Sequence, residues 1–270
     1  MRPELVANWM SPFAIEPMAM KSRFFVHLSL LALAALTLMP MQTYSQTPSV
    51  LVFSKTAGFR HDSIEAGIAA IKKLGQEHGF QVDATEDASA FQPETLTRYA
   101  AVMFLSTTGN VLDAAQQRAF EQYIRSGHGF IGVHAAADTE YEWPWYGRLV
   151  GGYFDSHDAI QPAKIIVVHR FGEARLPNPW ERTDEWYNYK QFDRGISVIL
   201  KLDTRSFKGS NHGDDHPIAW YREFDGGRSF YTGLGHTMTS FSEPLFLSHL
   251  LDGIRHAIGD AERASLALAP

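Results

Sequence analysis

The chain has 270 residues, 45% of them hydrophobic, which is enough to bury a sizeable core within one large domain. Its formal net charge of −6 offers no basic face, so nucleic acid is not an expected partner. The absence of cysteine excludes a thiol nucleophile, a disulfide framework and a cysteine-linked lipid anchor.

In chain order, Lys21 and Arg23 precede an apolar run from Phe24 to about Met39, followed by Pro40 and polar residues to Gln46. This is the layout of a secretory signal, with cleavage expected before Gln46. The run is short of the roughly 20 apolar residues that a membrane span needs. Residues 1–45 therefore read as an N-terminal extension and signal peptide, 46–260 as a single domain and 261–270 as a tail. The mature protein is expected to be exported, periplasmic or secreted, and to keep no membrane span.

Ser49–Phe53 is a short β-rich apolar run, read as the first strand. Asp62-Ser63-Ile64-Glu65 has the spacing of a capping box, followed by Ile64, Ile68 and Ile71 at helical spacing and by Gly79 as a stop. Phe80–Ala84, Ala101–Leu105 and Phe130–Val133 are further strands. Asp113-Ala114-Ala115-Gln116 caps a second helix, whose apolar face is Phe120, Tyr123 and Ile124. Alternating strands and helices, with continuous apolar strands, predict an α/β fold: a doubly wound, mostly parallel sheet with helices on both faces. The second half is less regular. Strands are expected at Ile165–Val168, Val198–Leu200, Ile218–Tyr221 and Ser229–Thr232, and a last helix from Pro244 to Ile258. Between them lie long loops dense in Trp, Tyr, Asn, Asp and His.

Ligands of such sheets bind beyond the carboxyl ends of the strands. The segments there are Ser54–His61, Ser106–Asn110, His134–Asp138 and Gly233–Thr237, and each carries polar or titratable residues. His134 follows a strand directly, in Gly132-Val133-His134-Ala135-Ala136, where other α/β enzymes place a Ser or Cys nucleophile. A histidine there can be a proton-transfer group, a metal ligand or a nucleophile. His61 and His236 are candidates to share its pocket. Glu185, in Asp184-Glu185-Trp186-Tyr187, is a carboxylate among aromatic rings, where burial would raise its pKa toward that of a general acid. Lys55 and Arg60 could hold a carboxylate, a phosphate or sugar hydroxyls. His212 and His216 are four residues apart, but Gly213 and Pro217 argue against the helix that would put them on one face. A divalent metal shared by His61, His134 and His236 stays open, although no spacing requires it. Gly127-His128-Gly129-Phe130-Ile131-Gly132 fits a dinucleotide fingerprint in letters only, because it precedes a strand instead of following one.

Together these residues resemble the ThuA-like (trehalose utilisation) family of the class I glutamine amidotransferase-like superfamily. The matching pieces are Lys55–His61, Gly132-Val133-His134, Gly151–Phe154 with His157, Asp184–Tyr187, Asp215–Trp220 and Gly233–His236. The resemblance spans about Val50 to Ile258 and implies a flavodoxin-like, amidotransferase-like fold. It puts His134 in the cysteine slot of the amidotransferases and His236 in the slot of their histidine, with Thr237-Met238 where Pro-Glu would follow. Glutamine amidotransferase activity is therefore not expected. The resemblance implies a role with a small carbohydrate, a trehalose-like disaccharide or keto-sugar. His134, His236 and Glu185 are then the expected catalytic groups. Lys55, Phe59, Arg60, His61, Thr107, Asn110, His157, Tyr187 and His216 are the expected substrate-binding set. Two rival readings are a non-catalytic sugar- or partner-binding domain and a metal-dependent hydrolase.

Overall fold

The computed structural model describes residues 47–259, so the expected signal peptide and C-terminal tail lie outside the described residues. The first half follows the sequence pattern closely: β1 (Ser49–Phe53), α1 (Ile64–His78), β2 (Gln81–Thr85), α2 (Pro93–Leu96), β3 (Ala101–Leu105), α3 (Ala114–Arg125) and β4 (Gly129–Val133). There follow α4 (Pro144–Val150), β5 (Tyr153–His157), β6 (Gln161–Val167), β7 (Trp180–Asp184), β8 (Tyr187–Lys190), β9 (Ser197–Leu202), β10 (His216–Phe224), β11 (Gly227–Thr232) and α5 (Pro244–Ile258).

Nine strands form one sheet in the order β2-β1-β3-β4-β11-β10-β9-β6-β7. From β2 to β11 every pairing is parallel. From β11 to β7 every pairing is antiparallel. The expected doubly wound α/β sheet is thus present, and an antiparallel extension continues it. β5 and β8 pair separately as a two-stranded antiparallel ribbon.

The parallel strands β3 and β4 are buried along their whole length because helices cover both faces. On one face, Phe120 of α3 packs against Phe104 and Phe130, and Phe104 and Phe130 also meet Tyr146 of α4. On the other face lie α1 and α5. There Gly129 lets α5 approach closely, since a Cβ at this position would stand 2.0 Å from the Ala257 carbonyl oxygen. The glycines that mimic a dinucleotide fingerprint therefore include one that serves helix-on-sheet packing.

Two local differences from the sequence reading have clear causes. The capping box expected at Asp62 does not form. The N-cap is Ser63, whose hydroxyl donates to the Gly235 carbonyl (3.2 Å) instead of capping the helix, and Glu65 pairs with Arg60. The box at Asp113 and Gln116 does form. In the second half, much of the expected aromatic loop is strand. β7 alternates buried Trp180, Arg182 and Asp184 with exposed residues, the period of a strand with one covered face.

Candidate functional site

Four chain segments meet beyond the carboxyl ends of β1, β4 and β11. After β1, the loop is tied to the segment after β3: Ala57 N donates to the Thr108 carbonyl, and the Thr108 hydroxyl donates to the Phe59 carbonyl (2.8 Å). This sets His61 at the start of α1, buried, with its Nδ1 lacking a hydrogen-bond partner among the described residues. After β4, His134 takes a φ of +50°, the left-handed region that side chains other than glycine rarely adopt. The sharp turn expected here is real, and its strain is held by Tyr231, whose hydroxyl donates to the His134 carbonyl (2.8 Å).

After β11, the loop bearing His236 is held by Asp184, fully buried at the end of β7. Its carboxylate accepts from Gly235 N (2.9 Å) and His236 N (3.2 Å). Arg182 stands 3.2 Å from Asp184 and 3.2 Å from Glu243, and donates to the Ser240 hydroxyl (2.8 Å). Glu185 lies in the two-residue link between β7 and β8. It therefore faces the parallel strand ends from the antiparallel side.

The result is a compact cluster. One ligand atom from each of His61, His134, Glu185 and His236 lies within 4.8 Å of every other. His134 Nε2 is 3.1 Å from His236 Nδ1 and 3.5 Å from Glu185 Oε2, and His236 Nδ1 is 3.2 Å from the same oxygen. His134 Nδ1 lies 3.1 Å from the Gly233 carbonyl. A carbonyl only accepts, so this nitrogen carries the proton, and neutral His134 presents the lone pair of Nε2 to the cluster. The Tyr187 ring covers His134 at 4.2 Å between centroids. His157 Nδ1 stands 3.1 Å from the other oxygen of Glu185, and its side chain is 41% exposed.

The electrostatics follow from this packing. Burial alone would raise the Glu185 carboxyl, but its interactions with the His134 and His236 imidazoles outweigh it and hold the group well below the usual carboxylate range. This corrects the general-acid expectation: the aromatic surroundings are present, yet the histidines dominate and Glu185 is ionised. Burial lowers His236, but the Glu185 carboxylate more than offsets it and raises that imidazole. His61 is pushed down to about 3 by burial and by its neighbours His134 and His236, so it is neutral near pH 7.

Of the expected substrate-binding residues, His61, His157 and Tyr187 join the cluster. Phe59 lies at its edge, 66% exposed and edge-on to His61 at 4.9 Å. The others are placed differently. Arg60 is taken by Glu65 and Glu86 (2.6 and 2.9 Å). Lys55 donates to the Val111 carbonyl (3.2 Å). Thr107 is fully buried, and its hydroxyl bonds that of Thr139 (2.9 Å). Asn110 is exposed with no side-chain hydrogen bond among those described. His216 is fully buried between the Ser210 hydroxyl and the Tyr187 carbonyl (2.9 and 2.8 Å), so it supports the ribbon from behind. Sequence reasoning names Asp184 only within Asp184–Tyr187, without its part in holding the His236 loop, and gives no role to Arg182, whose only signal is its alternation in β7. It also missed Asp138, a half-buried carboxyl raised by burial and held by the Tyr141 hydroxyl (2.6 Å).

The chain resembles known structures of the same kind. A ThuA-like protein from Bacteroides uniformis is 25% identical, with 79% of this chain and 93% of that chain covered and a TM-score of 0.66. A ThuA-like protein from Parabacteroides merdae is 17% identical, with 79% and 91% covered and a TM-score of 0.62. A β-galactosidase from Bacillus circulans sp. alkalophilus shares the fold over 31% of its own chain, at 11% identity and a TM-score of 0.52. No curated protein matches the chain. The model of the ThuA family, described as trehalose utilisation, matches residues 49–257, and the chain belongs to that family.

Proposed function

We propose that this chain is an exported enzyme of carbohydrate metabolism that moves a proton on a sugar bearing a carbonyl group, a keto-sugar of trehalose-like type. The observation that carries the reading is the placement of ionised Glu185 between His134 and His236, with His157 on its second oxygen. A proton can pass among these closely spaced groups, and the part-exposed His157 can exchange it with solvent. Removal of a proton next to a carbonyl needs such a base and no nucleophile: the C–H pair moves into the enolate and the proton returns to carbon or oxygen. The family description supports a sugar as the substrate class. The exposed ring of Phe59 beside His61 supports it as well, as a face on which a sugar ring can lie.

The test is exchange in heavy water. The chain is incubated with a 3-keto derivative of a trehalose-type disaccharide, and deuterium next to the carbonyl is followed by NMR. We expect incorporation with the native chain and a loss of about 10²–10⁴-fold in His134→Ala, the range for a positioned acid–base group. Folding of the variant is checked by circular dichroism. Sugar affinity without exchange or turnover would return the chain to the rival reading as a binding domain.

A further inference from the structure

Three of the distances that define the cluster have a meaning of their own. His134 Nε2, His236 Nδ1 and Glu185 Oε2 form a triangle with sides of 3.1, 3.2 and 3.5 Å. A tetrahedral cation with bonds of about 2.0–2.1 Å separates its donors by roughly 3.3–3.4 Å. Without a cation the same spacing is that of hydrogen bonds, with one proton on His236 Nδ1 shared between His134 Nε2 and Glu185 Oε2. A fourth donor, a ring nitrogen of His61, lies within 4.8 Å of each, on a residue that is 4% exposed and has an unpartnered buried nitrogen.

The surroundings are those of a ligand set. His134 is fixed in the tautomer that frees Nε2 by the Gly233 carbonyl, and Glu185 has its second oxygen against His157. Outer partners of this kind orient metal ligands and raise their basicity. We propose that His61, His134, Glu185 and His236 bind one first-row divalent transition cation, of which zinc fits best. Three imidazoles and one carboxylate, with no sulfur, suit Zn²⁺, Fe²⁺, Ni²⁺ and Mn²⁺ better than the all-oxygen cations. The cation replaces the shared proton. Beside it, a carbonyl oxygen of the substrate is polarised, and His157 stays free of the metal to carry a proton. The inference rests on the proposed function for the location of the reaction centre, and it moves the proton-carrying role from His134 and His236 to His157.

The test uses the untagged full chain, stripped with a chelator and titrated calorimetrically with Zn²⁺, Mn²⁺ and Ni²⁺. Co²⁺ serves as a visible-absorption probe of geometry. We expect one cation per chain at submicromolar Kd, weakened about 100-fold or more in His236→Ala and in Glu185→Gln. His212→Ala, outside the cluster, should bind as the native chain does. If His236→Ala fails to fold, Glu185→Gln carries the test, since it keeps the shape of the side chain. Absence of stoichiometric binding, or binding unchanged in the cluster variants, overturns the proposal. Cation binding without action on any keto-sugar would sink the proposed substrate and leave this site standing. Full exchange activity in stripped protein would overturn the part of the cation in the reaction and leave the proposed substrate standing.

Discussion

The two halves of the sheet divide the work differently. In the parallel half, β2-β1-β3-β4-β11, the inner strands β1, β3 and β4 are short, apolar and buried, and the loops after β1, β4 and β11 deliver His61, His134 and His236 to one place. In the antiparallel extension and the β5–β8 ribbon, strands have a wet face and polar buried positions, and they deliver Glu185, His157 and Tyr187. The first half is a scaffold whose regularity fixes positions. The second is a built wall whose charges orient what the scaffold presents. Asp184 joins them, since it sits on β7 and accepts the backbone N–H groups of Gly235 and His236 beyond β11.

The strongest way to break this division is to remove the join. Asp184→Ala leaves Arg182 buried beside Glu243 alone and frees the His236 loop. We expect a loss of about 3–5 kcal/mol, the usual cost of unpairing a buried charge, read from urea unfolding. An unchanged midpoint would mean that the wall does not hold the scaffold. Within the parallel half, Gly129→Ala forces a methyl into the Ala257 carbonyl. Overpacking of this kind should cost about 1–3 kcal/mol with the urea slope retained.

Acid should weaken both halves, because buried neutral histidines occur in each. Burial pushes His216, on β10, down to about 4 and His249, on α5, down to about 3, from 6.5. The unfolded chain then binds more protons than the folded one as the pH falls below 6.5. The stability these groups hold is complete above that pH and is lost as the pH drops toward their folded values. Each should contribute up to about 1.4 kcal/mol per pH unit in that window. Urea midpoints that rise from pH 7 to pH 5 would contradict this. The smallest effect is expected at Arg60→Ala, whose pairs with Glu65 and Glu86 are exposed: about 0.5 kcal/mol or less, with activity unchanged.

How far the sequence could be read follows the same boundary. Ala101–Leu105 and Phe130–Val133 are legible because a strand covered on both faces must be apolar throughout, and His134 stood out as the polar residue that ends such a run. β7 and β8 are less legible because Arg182, Asp184 and Asn188 occupy buried positions that normally carry apolar side chains. The chemistry of Glu185 could be named in advance, but not its ionisation. That depends on His134 and His236, which the fold brings to it from distant segments. Arg60 misled for a similar reason: Glu65 looked like half of a capping box, while in the structure it holds the Arg60 guanidinium.

The central claim is that the two halves close on one four-residue centre. X-ray absorption at the zinc edge of the loaded, untagged chain tests it most directly. The expected result is a nitrogen and oxygen shell at about 2.0–2.1 Å with scattering from three imidazoles, one of them lost in His61→Ala. A shell of water, or of fewer imidazoles unchanged by that substitution, would contradict it.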